Sequence, residues 1–284
     1  MRYDLRMAAV TMHCPVGCAD RNLAALSAYA REAAAGGASL VCFPELALTG
    51  YAVREGSGIE PLAVPGPHTS ALGDLARELG VILLAGAAVA TDTGSMFASH
   101  LVAFTDGSIR QYKKVHLNPV ETRLFREGNE VSIFDVGGMS FGIQLCYDAH
   151  FPELSQIMAL AGADVLFMPH ASPRGTPEEK LESWKRHLPA RAFDNGVYVV
   201  AVNQCGDNGA GLSFPGLAVV FGPDGKVLRQ KTDDLPGILY ADLSSSLLEG
   251  VRGHSMRYFL PRRNPEAYDN CVVHRTDVPP PHAD

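Results

Sequence analysis

Residues 141–154 read FGIQLCYDAHFPEL. The stretch Phe141–Leu145 reads as a strand, and it runs straight into Cys146. Pro152 follows where a helix can open, since its missing N–H costs nothing in a first turn. A thiol at a strand-to-helix turn is lifted out of the sheet. It then meets free backbone N–H groups and the positive end of a helix, which favour a thiolate. The plainer reading is a buried cysteine acting as a small apolar residue. Neighbouring segments have to decide between the two.

Outward from this turn, short apolar runs alternate with Ala/Leu-rich stretches, the pattern of an α/β chain. Before it, strands are expected at Arg6–Met12, Leu40–Phe43 and Val81–Ala90, with helices from an Asp20 N-cap to Ala35 and over Thr69–Leu79. Asp106-Gly107 and Gly137-Gly138 each sit between apolar runs and predict hairpins. After it, Pro152–Ala161 reads as a helix and Asp164–Met168 as a strand. Pro177–Asp194 reads as one long helix kinked by Pro189. Strands at Val197–Asn203, Leu217–Phe221, Lys226–Gln230 and Ile238–Ala241 complete the expectation of ten to twelve strands and four to five helices. Runs that are apolar throughout imply sheets covered on both faces. A closed barrel, a doubly wound sheet and a two-sheet sandwich all satisfy that periodicity.

Composition narrows the function classes. With 24 Lys+Arg against 31 Asp+Glu the net charge is −7, which does not favour a nucleic-acid or anionic-membrane surface. The longest apolar run, Val81–Ala90, is too short for a bilayer, which needs about 20 residues. Asp4 and Arg6 interrupt the segment where a signal peptide would need an apolar core, so a cytoplasmic location is expected. The six cysteines are irregularly spaced, and Cys14 and Cys18 lack a partner cluster, so neither a disulfide framework nor a metal site is expected. No linker divides the chain. A single domain is expected over residues 1–264, with an extended tail over 265–284 that ends in VPPPHAD.

A thiol nucleophile needs a base or a cation beside it. In VCFPELALTGY, Glu45 follows an apolar strand, where partial desolvation suits a carboxylate to proton transfer. In QYKKVHL, Lys113 and Lys114 alternate faces, so one of them points inward if one face is buried. A buried lysine requires a counter-charge.

Taken in order, FPELALTGY, YKKVHL and CYDAHFPE resemble the three signatures of the nitrilase (carbon–nitrogen hydrolase) superfamily. ETRLFREG at 121–128, PARAFDNGVYVVAVNQ at 189–204, FGPDGKVL at 221–228 and RRNPEAY at 262–268 extend the resemblance over nearly the whole chain. It implies an α-β-β-α sandwich that builds four-layer assemblies. It also implies a catalytic set of Glu45 as general base, Lys114, and Cys146 as nucleophile, with Glu121 as a second glutamate that orients substrate or lysine. No cofactor and no metal are implied. The Lys114 ammonium and the backbone N–H of Tyr147 are the expected oxyanion donors. Tyr147-Asp148 after the cysteine, where true nitrilases usually carry Trp-Glu, points to the amidase-like branch. His150 stands where related sequences carry an arginine that grips a substrate carboxylate. His150, His170, Tyr51 and Trp184 are candidate substrate-binding residues, and Arg174 receives no role. The implied reaction is hydrolysis of a small, aliphatic carboxamide to acid and ammonia. N-carbamoyl-amine hydrolysis, nitrile hydrolysis and an idle scaffold role are the alternatives. A small-molecule amide is the expected partner, with no nucleic acid and no membrane, and the chain is expected to form a homodimer or higher homo-oligomer.

Overall fold

The computed structural model describes residues 1–270 apart from residues 55 and 92. In chain order its elements are β1 (Leu5–Thr11), α1 (Ala19–Ala35), β2 (Leu40–Cys42), α2 (Pro67–Leu79), β3 (Ile82–Ala90), β4 (Met96–Ala103) and β5 (Ile109–Lys113). Then come β6 (Ile133–Val136), β7 (Met139–Ile143), α3 (Pro152–Leu160), β8 (Val165–His170), α4 (Pro177–Trp184), α5 (Leu188–Asn195) and β9 (Tyr198–Asn203). The chain continues through β10 (Gly206–Asp207), β11 (Ser213–Phe214), β12 (Ala218–Phe221), β13 (Val227–Lys231), β14 (Gly237–Leu243), α6 (Ser245–Arg252) and α7 (Pro265–Asp269).

Two six-stranded sheets result, in the orders β14-β1-β2-β3-β4-β5 and β13-β12-β9-β8-β7-β6. Within them β1, β2 and β3 are mutually parallel, as are β7, β8 and β9, while the flanking strands are antiparallel. Alternation along each strand assigns the layers. Met7 and Ala9 of β1, with Leu40 and Cys42 of β2, join the core between the sheets, together with Ile143 and Phe167. Ala8, Val10, Val41 and Leu83 point the other way, onto Leu26 and Ala30 of α1 and Leu72 and Ala76 of α2. The second sheet is covered likewise by α3 and α5 through Leu154, Met158, Leu188 and Ala192. The architecture is therefore the α-β-β-α sandwich. Strands buried on both faces explain why their sequences show no polar alternation.

Local departures from the sequence reading have physical causes. The stretch expected as one helix from Pro177 is two, α4 and α5, broken at Lys185–His187. Pro189 cannot donate to residue 185 and its ring would strike that carbonyl, so α4 ends there and proline enters the first turn of α5. The cap of α1 is Cys18, not Asp20; Asp20 lies in the first turn, where its charge suits the helix end, and it meets His68 at 2.9 Å. The segment expected as an extended tail from residue 265 opens as the short helix α7, with the Asn264 side chain accepting from Ala267 N–H. Residues 271–284, and with them most of the expected tail, lie outside the described residues. Among the described residues no helix is long and apolar enough to cross a membrane.

Candidate active site

The strand ends bring together what the sequence scatters. Glu45 follows β2 and Lys114 follows β5, at the carboxyl ends of strands that run the same way in the first sheet, and Cys146 follows the carboxyl end of β7 in the second. That end is where open α/β sheets place their sites. Glu45 and Lys114 are fully buried, and Glu121, on a short 3-10 turn at Glu121–Arg123, is 1% exposed.

Lys114 Nζ donates to Glu45 Oε1 at 2.8 Å and to Glu121 Oε1 at 2.9 Å. The second Glu45 oxygen accepts the Ala171 N–H at 2.9 Å, just past β8. Gln204, just past β9, donates its side-chain amide to the Glu45 carbonyl at 2.7 Å. Glu121 is held in turn by Asn118 N–H (3.0 Å) and by the Tyr51 hydroxyl (3.1 Å). Lys113 goes the other way, its ammonium 4.5 Å from the centre of the Phe97 ring. Strand alternation thus separates the two lysines as expected. Gly86 on β3 makes room for the glutamate, because a Cβ there would collide with Leu46 N and the Glu45 carbonyl carbon.

Two carboxylates around one ammonium in a dry site compete for its charge. Burial pushes the Glu45 carboxyl up; Lys114 opposes, Glu121 adds, and the result is about 7. For Lys114 burial pulls down, but the Glu45 and Glu121 carboxylates outweigh it and hold the ammonium well above its ordinary value. The cation is therefore permanent, and Glu45 is a carboxylate poised to exchange a proton near neutral pH.

Cys146 opens a 3-10 helix, Cys146–His150, that intervenes before α3, and its φ of 43° lies in the left-handed region. A non-glycine residue there is strained, which marks a forced turn. Its half-buried side chain does not have the thiolate character expected from a helix end. Burial pushes the thiol up, the Glu45 charge adds to this, and Lys114 only partly opposes it. The intervening 3-10 turn, in place of a long helix, leaves little dipole to offset desolvation. This thiol needs a base.

Asp148, which the sequence marks as a branch signal and not as a site residue, ties the turn to the lysine strand. It is fully buried and accepts from Tyr112 OH (2.8 Å), His116 N–H (2.8 Å), His116 Nδ1 (2.9 Å) and Leu145 N–H (3.0 Å). Tyr112 and His116 flank Lys114, so one carboxylate fixes both segments. Its position inside CYD was the available signal.

The remaining candidates are placed more loosely. Tyr51 reaches the site through Glu121 and packs edge-on against Phe214. His170 is buried; its Nδ1 meets the Met168 carbonyl at 2.7 Å and its ring lies 4.2 Å from Trp184. Burial pushes it down to about 3, so it is a neutral, packed residue, and Trp184 is buried with it. His150 is exposed at the end of the 3-10 turn, stacked 4.5 Å from His187. Arg174 is exposed with a left-handed φ of 71°. Among the described residues no group of three or more His, Cys, Asp or Glu is placed to hold a metal ion.

A two-sheet sandwich that sets a cysteine beside a buried Glu-Lys-Glu cluster at its strand ends defines a class of thiol hydrolase. The chain belongs to the carbon–nitrogen hydrolase family, whose Carbon-nitrogen hydrolase profile matches residues 6–252, and it is an amidase-type hydrolase of that family. It is 31% identical over 274 residues to a nitrilase of Pyrococcus abyssi, covering 93% of this chain and 99% of that one. It is 30% identical over 241 residues to an omega-amidase of Homo sapiens, covering 81% and 86%. Among solved structures it resembles an amidase from Nesterenkonia sp. AN1 in complex with butyramide, with TM-score 0.80, 26% identity and coverage of 94% and 97%. Another structure of that amidase, with TM-score 0.81 and 26% identity over 96% of this chain and 98% of that one, carries the acetamide moiety of fluoroacetamide on its active-site cysteine.

Proposed function

We propose that this protein hydrolyses small aliphatic carboxamides to a carboxylic acid and ammonia through a thioester on Cys146. The observation that carries the reading is the fully buried Lys114 ammonium held between Glu45 and Glu121 beside a thiol that cannot ionise unaided. Glu45 takes the Sγ proton as sulfur bonds to the amide carbon. The oxygen that gains charge is met by Lys114 and by the N–H of Tyr147, a first-turn donor with no helical partner. Collapse expels nitrogen, which receives the proton from Glu45 and leaves as ammonia. Water then gives a proton to Glu45 and attacks the thioester; acid and thiol are released. Glu121 keeps the ammonium aimed. We place the reaction in the cytosol, where thiols stay reduced.

The test is ammonia release from butyramide, from N-carbamoyl compounds and from nitriles. Turnover of butyramide with an acyl-Cys146 adduct in mass spectrometry supports the reading. Turnover of ureido compounds or nitriles alone overturns the substrate class. The relative named as a nitrilase makes the nitrile arm necessary. A scaffold without activity would show no turnover and would label Cys146 no faster than Cys42 or Cys205.

A further inference from the structure

Glu45 sits at a strained turn. Leu46, the next residue, is fully buried and has a φ of 53°, in the left-handed region that a bulky side chain rarely adopts. Such a conformation persists only where the surroundings hold it. The peptide between the two residues is gripped from both sheets. From β3 in the first sheet, Gly86 lies so close that a Cβ there would collide with Leu46 N and the Glu45 carbonyl carbon. From the end of β9 in the second sheet, Gln204 donates Nε2 to the Glu45 carbonyl at 2.7 Å. The carbonyls on either side, of Pro44 and Leu46, accept from Ala47 and Gly50 within the turn itself, whereas that of Glu45 is held from 159 residues away.

Gln204 is fully buried, and its Oε1 has no hydrogen-bond partner. The two amide atoms cannot be exchanged, since an oxygen turned to the Glu45 carbonyl would face another acceptor. An apolar side chain here would leave the Glu45 carbonyl unpaired but would also remove the unpaired Oε1, so the amide brings the fold little net gain. What it fixes is direction. The preceding residue works on the other end of the base. Asn203 pins both backbone groups of Ser172, at 2.8 and 2.9 Å, and the adjacent Ala171 gives its N–H to Glu45 Oε2 at 2.9 Å. The end of β9 thus controls Glu45 at its carbonyl directly and at its carboxylate through Ala171. The ionisable groups that face that carboxylate are Lys114, Glu121, the Cys146 thiol and the Tyr51 hydroxyl.

We infer that Gln204 is a positioning residue for the general base: it latches the strained Glu45–Leu46 peptide across the two sheets, so that one carboxylate reaches Lys114 and the Ala171 N–H together. The inference rests on Glu45 acting as the base. Without the latch, Leu46 relaxes toward an ordinary backbone conformation and turns the carboxylate away from both partners. Lys114 and the Ala171 N–H are the groups that oppose burial and Glu121 in setting the Glu45 carboxyl. Losing their hold makes the base harder to deprotonate, so the pH at which it becomes active rises.

Gln204→Met keeps the length of the side chain and removes its donor. With butyramide, kcat should fall by about 10- to 100-fold, as for a group displaced by about 1 Å, with KM near the wild-type value. The acid limb of kcat/KM should move up by about one pH unit. Gln204→Glu, equal in size but bringing a third carboxylate, should move it further in the same direction. The thermal midpoint of Gln204→Met should change by no more than about 4 °C, because one unpaired oxygen replaces another. The same limb can be read without a substrate, from the rate at which iodoacetamide alkylates Cys146 across pH, followed by mass spectrometry. A partly unfolded variant would lower kcat and leave the limb in place. A limb that stays put in both assays, or a wild-type kcat in Gln204→Met, therefore overturns the inference while amide hydrolysis stands. A moved alkylation limb in a protein that turns over no amide supports the latch and overturns the carboxamide reading instead.

Discussion

At the scale of single residues, the site works by denying water to three charges. Glu45 is the group whose protonation matters, since burial moves it from the ordinary carboxylate range to about 7. A base must be unprotonated to act, so kcat/KM should fall as pH drops through about 7. That limb belongs to the coupled Glu45–Lys114–Cys146 set. Glu45→Gln should lower kcat by at least about 10²–10⁴-fold and abolish the limb, measured by steady-state ammonia release over pH. A loss of only a few fold would make Glu45 structural. For stability the sign is opposite: the folded state holds this proton more tightly than the unfolded, so stability declines as pH rises from 4.5 towards 7. Cys146→Ala should end turnover and leave the fold intact. The two lysines provide a further contrast. Lys114→Ala should cost about 10²–10³-fold or more, whereas Lys113→Ala, whose partner is the Phe97 ring, should cost little.

Elements contribute by aiming these residues. The close approach of β3 to the loop after β2 is possible only because residue 86 lacks a Cβ. Gly86→Ala should therefore push Glu45 off Lys114 and destabilise by about 1–3 kcal/mol, read as a lower urea midpoint together with lost activity. Unchanged stability and activity would show that the loop yields freely. Elements were also where sequence reading reached its limit. Strands β1 to β5 and their order of appearance follow from apolar runs and Gly-containing turns. The break before α5 required knowing that Pro189 blocks residue 185, and the 3-10 turn after Cys146 depends on Asp148 being gripped by groups from β5 and the chain after it. Such long-range partners are invisible to a window moving along the chain.

For the molecule as a whole, the outer helices of the second sheet leave apolar side chains uncovered. Ile157 and Leu160 on α3, Phe193 on α5 and Phe259 beyond α6 are each 42–51% exposed, and Phe193 and Phe259 pack against each other at 5.5 Å. We propose that this face and the C-terminal segment meet a second copy of the chain, where burial is favourable by roughly 25 cal/mol per Å² of apolar area. Deleting the chain after Pro261 should then shift native mass towards monomer and lower the thermal midpoint. Light scattering that finds one unchanged oligomer, or a monomeric full-length chain, would contradict this.

By itself the sequence carried the α/β layering, the family resemblance and the choice of Glu45, Lys114, Glu121 and Cys146 as candidate site residues. Periodicity and short motifs are local properties, so they survive being read without coordinates. Only the tertiary structure decided that the chain closes as two facing sheets and not as a barrel or one wound sheet, since all three bury the same apolar strands. It alone decided what the charges do to one another. A carboxylate pushed to about 7 and an ammonium held between two acids are consequences of distance and burial. Both arise when residues 69 apart in sequence, Glu45 and Lys114, are brought within one hydrogen bond of each other.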